Sequence, residues 1–203
     1  MRVLIAEDDA GVRLLARTIA EDLGHECIEA ANGQEAWALF TRHQPDVVVA
    51  DRIMPPGPDG LQLCQAIRDF ENNSYTYIIL LTSLAAHEEV LAGIDAGADD
   101  YVIKPLDPFA LYARLLVGYR VTSLHLELSR YRQELARQAR TDPLTKLSNR
   151  LKLGEDLEVL HQRSNRYDRE YSLAMCDIDL FKQYNDTYGH QAGTRHYRPW
   201  PPR

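Results

Sequence analysis

Cysteine is scarce in this 203-residue chain, and the three present, Cys27, Cys64 and Cys176, are an odd number without metal-ligand spacing. That excludes a disulfide framework and a zinc site, and the apolar or helix-like surroundings of each predict reduced, buried thiols. No apolar run approaches the roughly 20 residues that cross a bilayer, and the opening MRVLIAEDD turns acidic before a signal peptide could form its apolar core. A cytoplasmic protein without a membrane partner is the expectation. Positive charge is short in one part only: residues 1–119 carry 8 Lys and Arg against 19 Asp and Glu, whereas residues 120–203 carry 15 against 11. An acidic domain of that kind disfavours nucleic acid and suits a cluster of carboxylates around a divalent cation. Disorder of the whole chain is excluded by a hydrophobic content of 45%, enough to give one ordinary domain and part of a second their own cores.

Short β-rich apolar runs alternate with helical patterns over residues 1–119, which predicts a parallel sheet flanked by helices. The five runs are Val3 to Ala6, Cys27 to Ala30, Val47 to Ala50, Ile78 to Leu81 and Tyr101 to Ile103. In the first helical segment Leu14, Leu15, Ile19 and Leu23 make an apolar stripe, and Gly24 stands where the helix would end. Ligands of open parallel sheets bind outside the carboxyl ends of the strands. At those ends the sequence places Glu7 and Asp8, then Asp51, then Thr82 and Ser83, then Lys104.

Three carboxylates, a hydroxyl and an ammonium at one sheet edge suit phosphoryl transfer to a carboxylate. That reaction needs an in-line nucleophile, a cation that cancels charge between two anions, and a positive group on the transferred oxygens. Asp51 would attack, Glu7 and Asp8 would hold Mg²⁺ directly or through water, Thr82 would donate a hydrogen bond, and Lys104 would pair with the phosphoryl group.

AEDD at 6–9, VVVADRIMP at 47–55, DG at 59–60, LLTS at 80–83 and DYVIKP at 100–105 resemble the response-regulator receiver family, over residues 1–119. The resemblance implies a five-stranded parallel, doubly wound, flavodoxin-like α/β fold. It also implies Asp51 as acceptor and Mg²⁺ on the carboxylates of Asp8 and Asp51 and the backbone carbonyl of Ile53. Thr82 and Tyr101 match the family's switch pair, and Lys104-Pro105 its cis peptide. The implied partner is a sensor histidine kinase or a phosphotransfer protein, with a small acyl phosphate as another donor. One departure is visible: the turn RIMPPGPDG is a residue longer than usual between acceptor and Asp-Gly, which predicts unusual phosphorylation or dephosphorylation rates with no ligand lost.

Beyond Leu111 the helical pattern continues, and Val117, Val121, Leu124, Leu128, Tyr131, Leu135 and Gln138 alternate in steps of four and three. Either this helix packs one face on its own domain, or it pairs in parallel with a second copy; pairing is the favoured reading. Asp142-Pro143 then breaks the helix, an amphipathic helix is predicted around Leu151 to Leu160, and a strand at Leu173 to Cys176.

DPLTKLSNR at 142–150 and AMCDIDLFKQYNDTYGHQAG at 174–193 resemble the opening of the GGDEF family, whose members condense two GTP molecules to cyclic di-GMP. The resemblance assigns Asp177 and the Ile178 backbone to metal, Phe181 and Lys182 to the phosphate side, and Asn185 to guanine. Lys146 stands where the family usually has Gly, Thr194 where a second guanine-reading Asp belongs, and the family pattern stops after Gly193. The resulting boundaries are a receiver at 1–119, a helical linker and possible coiled coil at 120–141, the first part of a GGDEF domain at 142–193, and a non-family, disordered tail at 194–203. A truncated or frameshifted gene is the simplest source of that tail. The expected function is a phosphorylation-controlled, dimerising response regulator without catalysis of its own. Its rivals are an active diguanylate cyclase, a receiver-only phosphoryl sink, and a module that holds GTP without turning it over. No helix-turn-helix pattern follows residue 119, so no DNA output is expected.

Overall fold

The computed structural model describes residues 1–70, 75–83, 87–168 and 170–189. The tail at 194–203, and His190 to Gly193 before it, lie outside the described residues. The chain divides into two compact units, Met1–Ser129 and Arg130–Arg203, each described by itself.

In the first unit five parallel strands, β1 (Arg2–Ala6), β2 (Glu26–Ala30), β3 (Val47–Asp51), β4 (Tyr77–Thr82) and β5 (Asp100–Ile103), form one sheet in the order β2-β1-β3-β4-β5. The five strands predicted within residues 1–119 are all present, four extended by a residue at one end and β4 at both. Strands β1, β3 and β4 read as continuous apolar runs because helices cover both faces. Leu4, Ala6, Val48, Ala50, Ile78 and Leu80 point to one face, with α2 (Gly33–His43) and α3 (Gly60–Asp69). Val3, Ile5, Val47, Val49, Ile79 and Leu81 point to the other, with α1 (Ala10–Asp22) and α5 (Pro108–Arg140). The remaining helix, α4 (His87–Asp95), precedes β5.

Side chains just outside the helices fix where they start. Asp9 accepts from the Gly11 and Val12 amides at 2.8 Å, and Asp59 and Gln62 form a reciprocal capping box at the start of α3. The predicted stripe of α1 needs correction, because Ala16, Ile19 and Ala20 are buried whereas Leu14 and Leu15 are exposed. At roughly 100° per residue Leu14 falls nearly opposite the Ile19–Leu23 side, and small alanines let the helix lie close to the sheet.

Helix α5 carries two separate stripes. Leu111, Leu115, Gly118 and Thr122 are buried, and the His125 ring stacks on Tyr75 with centroids 4.3 Å apart. Tyr75 in turn donates a hydrogen bond to Asp99, which also pairs with Arg68 at 2.7 Å. Val117, Leu124, Leu128, Tyr131 and Leu135 lie on the second stripe and are exposed. Val121, placed in the seam by its spacing, instead packs partly against the receiver core.

In the second unit the end of α5 is tied to α6 (Arg150–Tyr167) by an Arg140–Glu155 pair at 2.9 Å. Lys146, where the family resemblance leads one to expect Gly, has φ +61°, a left-handed conformation that Gly adopts without strain. The strand expected at Leu173 to Cys176 is not formed. Residues 170–178 belong to no helix or strand, and Leu173, Met175 and Cys176 are exposed, so the buried-thiol expectation fails for Cys176. A β-strand exists only by pairing its backbone groups, and among the described residues no neighbour offers a ladder. Helix α6 is longer than predicted and buries none of its side chains, leaving Leu151, Leu153, Val159 and Leu160 exposed. Cys27 and Cys64 fit the expectation better, since burial pushes their thiols up to about 11 and about 12.

Gln44 ends α2 in the left-handed region, at φ 45°, a conformation that disfavours a β-carbon. Gln44→Gly is expected to stabilise the chain by roughly 0.5–1 kcal/mol, strain relief exceeding the added unfolded-state entropy, read as a higher urea midpoint at unchanged slope.

Candidate functional site

Strand register builds the site. Ala6 is level with Ala50, Asp51 with Leu81, and Thr82 with Ile103, so the residues that end β1, β3, β4 and β5 emerge along one edge. Glu7, Asp8 and Asp51 present carboxylate oxygens that all lie within 4.8 Å of one another. Glu7 and Asp51 are buried and Asp8 is exposed. The Lys104 ammonium reaches across from the end of β5, 2.8 Å from Glu7 and 2.9 Å from Asp51. Asp51 Oδ1 accepts the Arg52 amide at 2.7 Å.

Burial is the largest influence on Glu7 and raises its pKa above the ordinary value; the Asp51 charge adds to this, and the Lys104 hydrogen bond opposes it. Burial also disfavours the Lys104 ammonium, but hydrogen bonds to Glu7 and Asp51 outweigh it and leave that pKa raised. Glu7 Oε2 is buried with the ammonium beside it yet lacks a directed hydrogen-bond donor. Three acids against one ammonium, with a carboxylate oxygen short of a donor, fit a divalent cation with oxygen ligands. Among the described residues this is the one group of three or more acidic, His or Cys side chains close enough to share an ion.

Thr82 is buried at the end of β4, and Tyr101 on β5 is partly exposed. Both line a cavity of about 20 Å³ with Leu80, Gly93 and Ile94, room for about one water molecule. Ile53, two residues after Asp51, is exposed, and Lys104-Pro105 is cis, as the resemblance implies.

The lengthened turn is accommodated between Met54 and Pro58. Pro55-Pro56 is cis, Gly57 has φ +108°, and the turn docks on the start of α2. There the Gly33 amide donates to Met54 O at 3.0 Å and the Gln34 amide to Pro56 O at 3.1 Å. Gly33 is required at this contact, since a β-carbon on it would meet Pro58 O at 1.8 Å. Sequence reading passes over Gly33, and over Arg13, whose guanidinium donates to Glu7 O at 2.6 Å. Both act on backbone carbonyls, which leave no mark in residue pattern.

The second-unit candidates fall on two adjoining segments. Asp177 and Ile178 are exposed in the segment that lacks strand partners, while Phe181, Lys182 and Asn185 lie on α7 (Phe181–Tyr188).

Comparison with known proteins agrees with this geometry. Residues 3–116 match the family described as response regulator receiver domain, and residues 139–196 match that described as diguanylate cyclase, GGDEF domain. The chain is 40% identical over 122 residues to a probable transcriptional regulator ycf27 of Guillardia theta, covering 60% of this chain and 46% of that protein. It is 35% identical over 120 residues to the phosphate regulon transcriptional regulatory protein PhoB of Pseudomonas aeruginosa, covering 59% and 52%. The chain thus spans about half the length of these curated relatives. The receiver domain of a Francisella response regulator superposes with a TM-score of 0.55 at 33% identity, covering 60% of this chain and 98% of that structure. The second match covers about 58 of the roughly 170 residues of a complete GGDEF catalytic domain.

Gly33→Ala is expected to cost at least about 1–3 kcal/mol through overpacking against Pro58. If Mg²⁺ occupies the acidic cluster and raises the melting temperature of the native chain, the rise should be smaller in this variant, because the displaced turn includes the stretch after Ile53. Thermal melts with and without Mg²⁺ measure both effects.

Proposed function

The chain belongs to the response regulator receiver family and carries the opening of a GGDEF domain behind it, and from that premise we propose that it accepts a phosphoryl group on Asp51. The observation that carries this reading is the single Lys104 ammonium held 2.8 and 2.9 Å from Glu7 and Asp51, beside Asp8. A carboxylate oxygen of Asp51 forms the new P–O bond in line as the donor's P–N or P–O bond breaks, and the leaving group departs with the electron pair. Lys104 then pairs with the transferred phosphoryl oxygens, and Thr82 donates a hydrogen bond to them. Glu7, Asp8 and Asp51, with the Ile53 carbonyl, are the groups that would hold Mg²⁺, which supplies charge neutralisation between the two anions. A sensor histidine kinase, a phosphotransfer protein or a small acyl phosphate is the donor.

Phosphorylation draws Thr82 toward the site, Tyr101 follows, and the α4–β5 face is remodelled. The output is pairing of two copies through the exposed stripe of α5, from the receiver at 1–119 through the linker at 120–141. In relatives with a whole GGDEF domain, pairing would raise the effective concentration of two half-sites around two GTP molecules. The stretch at 142–193 is not a catalytic unit by itself, and the exposed Asp177 and Ile178 lend GTP binding no support. No described helix is long and apolar enough to cross a membrane.

Intact-protein mass after incubation with Mg²⁺ and acetyl phosphate tests the reading. The native chain is expected to gain one phosphoryl group and Asp51→Asn none; equal labelling of both, or of neither, rejects Asp51 as acceptor. In a parallel incubation with GTP and Mg²⁺ or Mn²⁺, no cyclic di-GMP is expected, and measurable product would make this chain an enzyme.

A further inference from the structure

Arg13 lies in the first turn of α1, with its side chain 19% exposed. Its Nη1 donates to Glu7 O at 2.6 Å and approaches Asp8 O at 3.3 Å. Its Nε is 3.6 Å from Glu29 Oε2, and Glu29 is held in turn by Arg17 Nη1 at 3.0 Å. One guanidinium thus grips the carbonyls of the two consecutive residues whose side chains face Asp51, and it is anchored from behind by β2. Glu7 and Asp8 come after the end of β1, where ladder bonds give way to a loop. The Glu7 amide still bonds Ala30 O at 3.1 Å, but the carbonyl side of this turn depends on Arg13.

We propose that Arg13 is a positioning residue for the divalent-cation site, orienting the Glu7–Asp8 peptide units so that both carboxylates converge with Asp51. This rests on the phosphoacceptor reading above. Charge and position make opposite demands here, and that decides the matter. A guanidinium behind the acidic loop repels a divalent ion, so if charge were its whole effect, removing it would tighten Mg²⁺ binding. If it orients the ligands, removing it loosens binding despite the lost repulsion. Lysine is no substitute, because one ammonium cannot span two carbonyls and Glu29 as a planar fork does.

The test is Mg²⁺ titration by calorimetry, well below the melting temperature, on the wild-type chain, Arg13→Ala, Arg13→Lys, Glu29→Gln and Asp51→Asn. Both Arg13 variants are expected to bind Mg²⁺ about 10-fold more weakly or worse, the usual penalty for losing a group that orients a ligand. Glu29→Gln, which leaves the loop itself untouched, should shift affinity the same way by less, and it carries the test if an Arg13 variant fails to fold. Unchanged or tighter Mg²⁺ binding in folded Arg13→Ala overturns the proposal, even with a lowered apo melting temperature, since that is what a purely structural arginine would give. Full affinity in Arg13→Lys overturns it too, reducing the role to charge. Wild-type chain that binds no Mg²⁺, or Asp51→Asn that binds as well as wild type, instead rejects the site reading and this inference with it.

Discussion

One ammonium among three carboxylates is the interaction that the rest of the fold is arranged to hold. Like charges about 4 Å apart repel by about 4 kcal/mol at an effective dielectric near 20, so Glu7, Asp8 and Asp51 stay together only while something opposes them. Lys104 does so from the far edge of the sheet, and it can reach because β1, β3, β4 and β5 end level with one another. Level ends require that register be fixed, and register is fixed by burying Val3–Ala6, Val47–Ala50 and Tyr77–Leu81 between two helical layers. The core is thus the means by which a charge-strained edge is held in shape, and the shortage of positive charge at that edge is the chemical opportunity.

How much of this was legible in the sequence follows from whether a feature is written in side-chain type. The strands were legible, because a sheet covered on both faces shows as unbroken apolar runs, and the acids and Lys104 were legible because they sit where those runs stop. The covered side of α1 was misread: Leu14 and Leu15 carry more hydrophobic weight than Ala16 and Ala20, but close approach to the sheet selects the small residues. Residues 173–176 were misread for a different reason. Their composition suits a strand, yet pairing is non-local and no described segment pairs with them. Arg13 and Gly33 left no signal at all, since each acts through the carbonyl of another residue.

The turn after Asp51 shows how a fold absorbs an added residue without disturbing the chemistry beside it. The extra length is taken up between Met54 and Pro58, where the cis Pro55-Pro56 bond and Gly57 bring the chain onto the Gly33 and Gln34 amides. The stretch from Asp51 to Ile53, which carries the proposed acceptor and the proposed carbonyl ligand, stays next to β3. Any change in reaction rate from this turn would therefore come through how firmly α2 braces it, rather than through a missing ligand.

A helix that spends one stripe on its own domain has only another to offer a partner, and α5 carries both within a single run. Leu111, Leu115, Gly118 and Thr122 are committed to the receiver core, whereas Val117, Leu124, Leu128, Tyr131 and Leu135 are left to solvent. The second stripe begins inside the receiver, at Val117, so its direction is set by how the first is seated. The His125–Tyr75 stack extends that seating past the last buried residue, and Tyr75 is bonded to Asp99 just before β5. Helix α5 is thus joined through His125, Tyr75 and Asp99 to the start of β5. The pairing proposed for the outer stripe would in this way respond to the site although no residue of that stripe touches it.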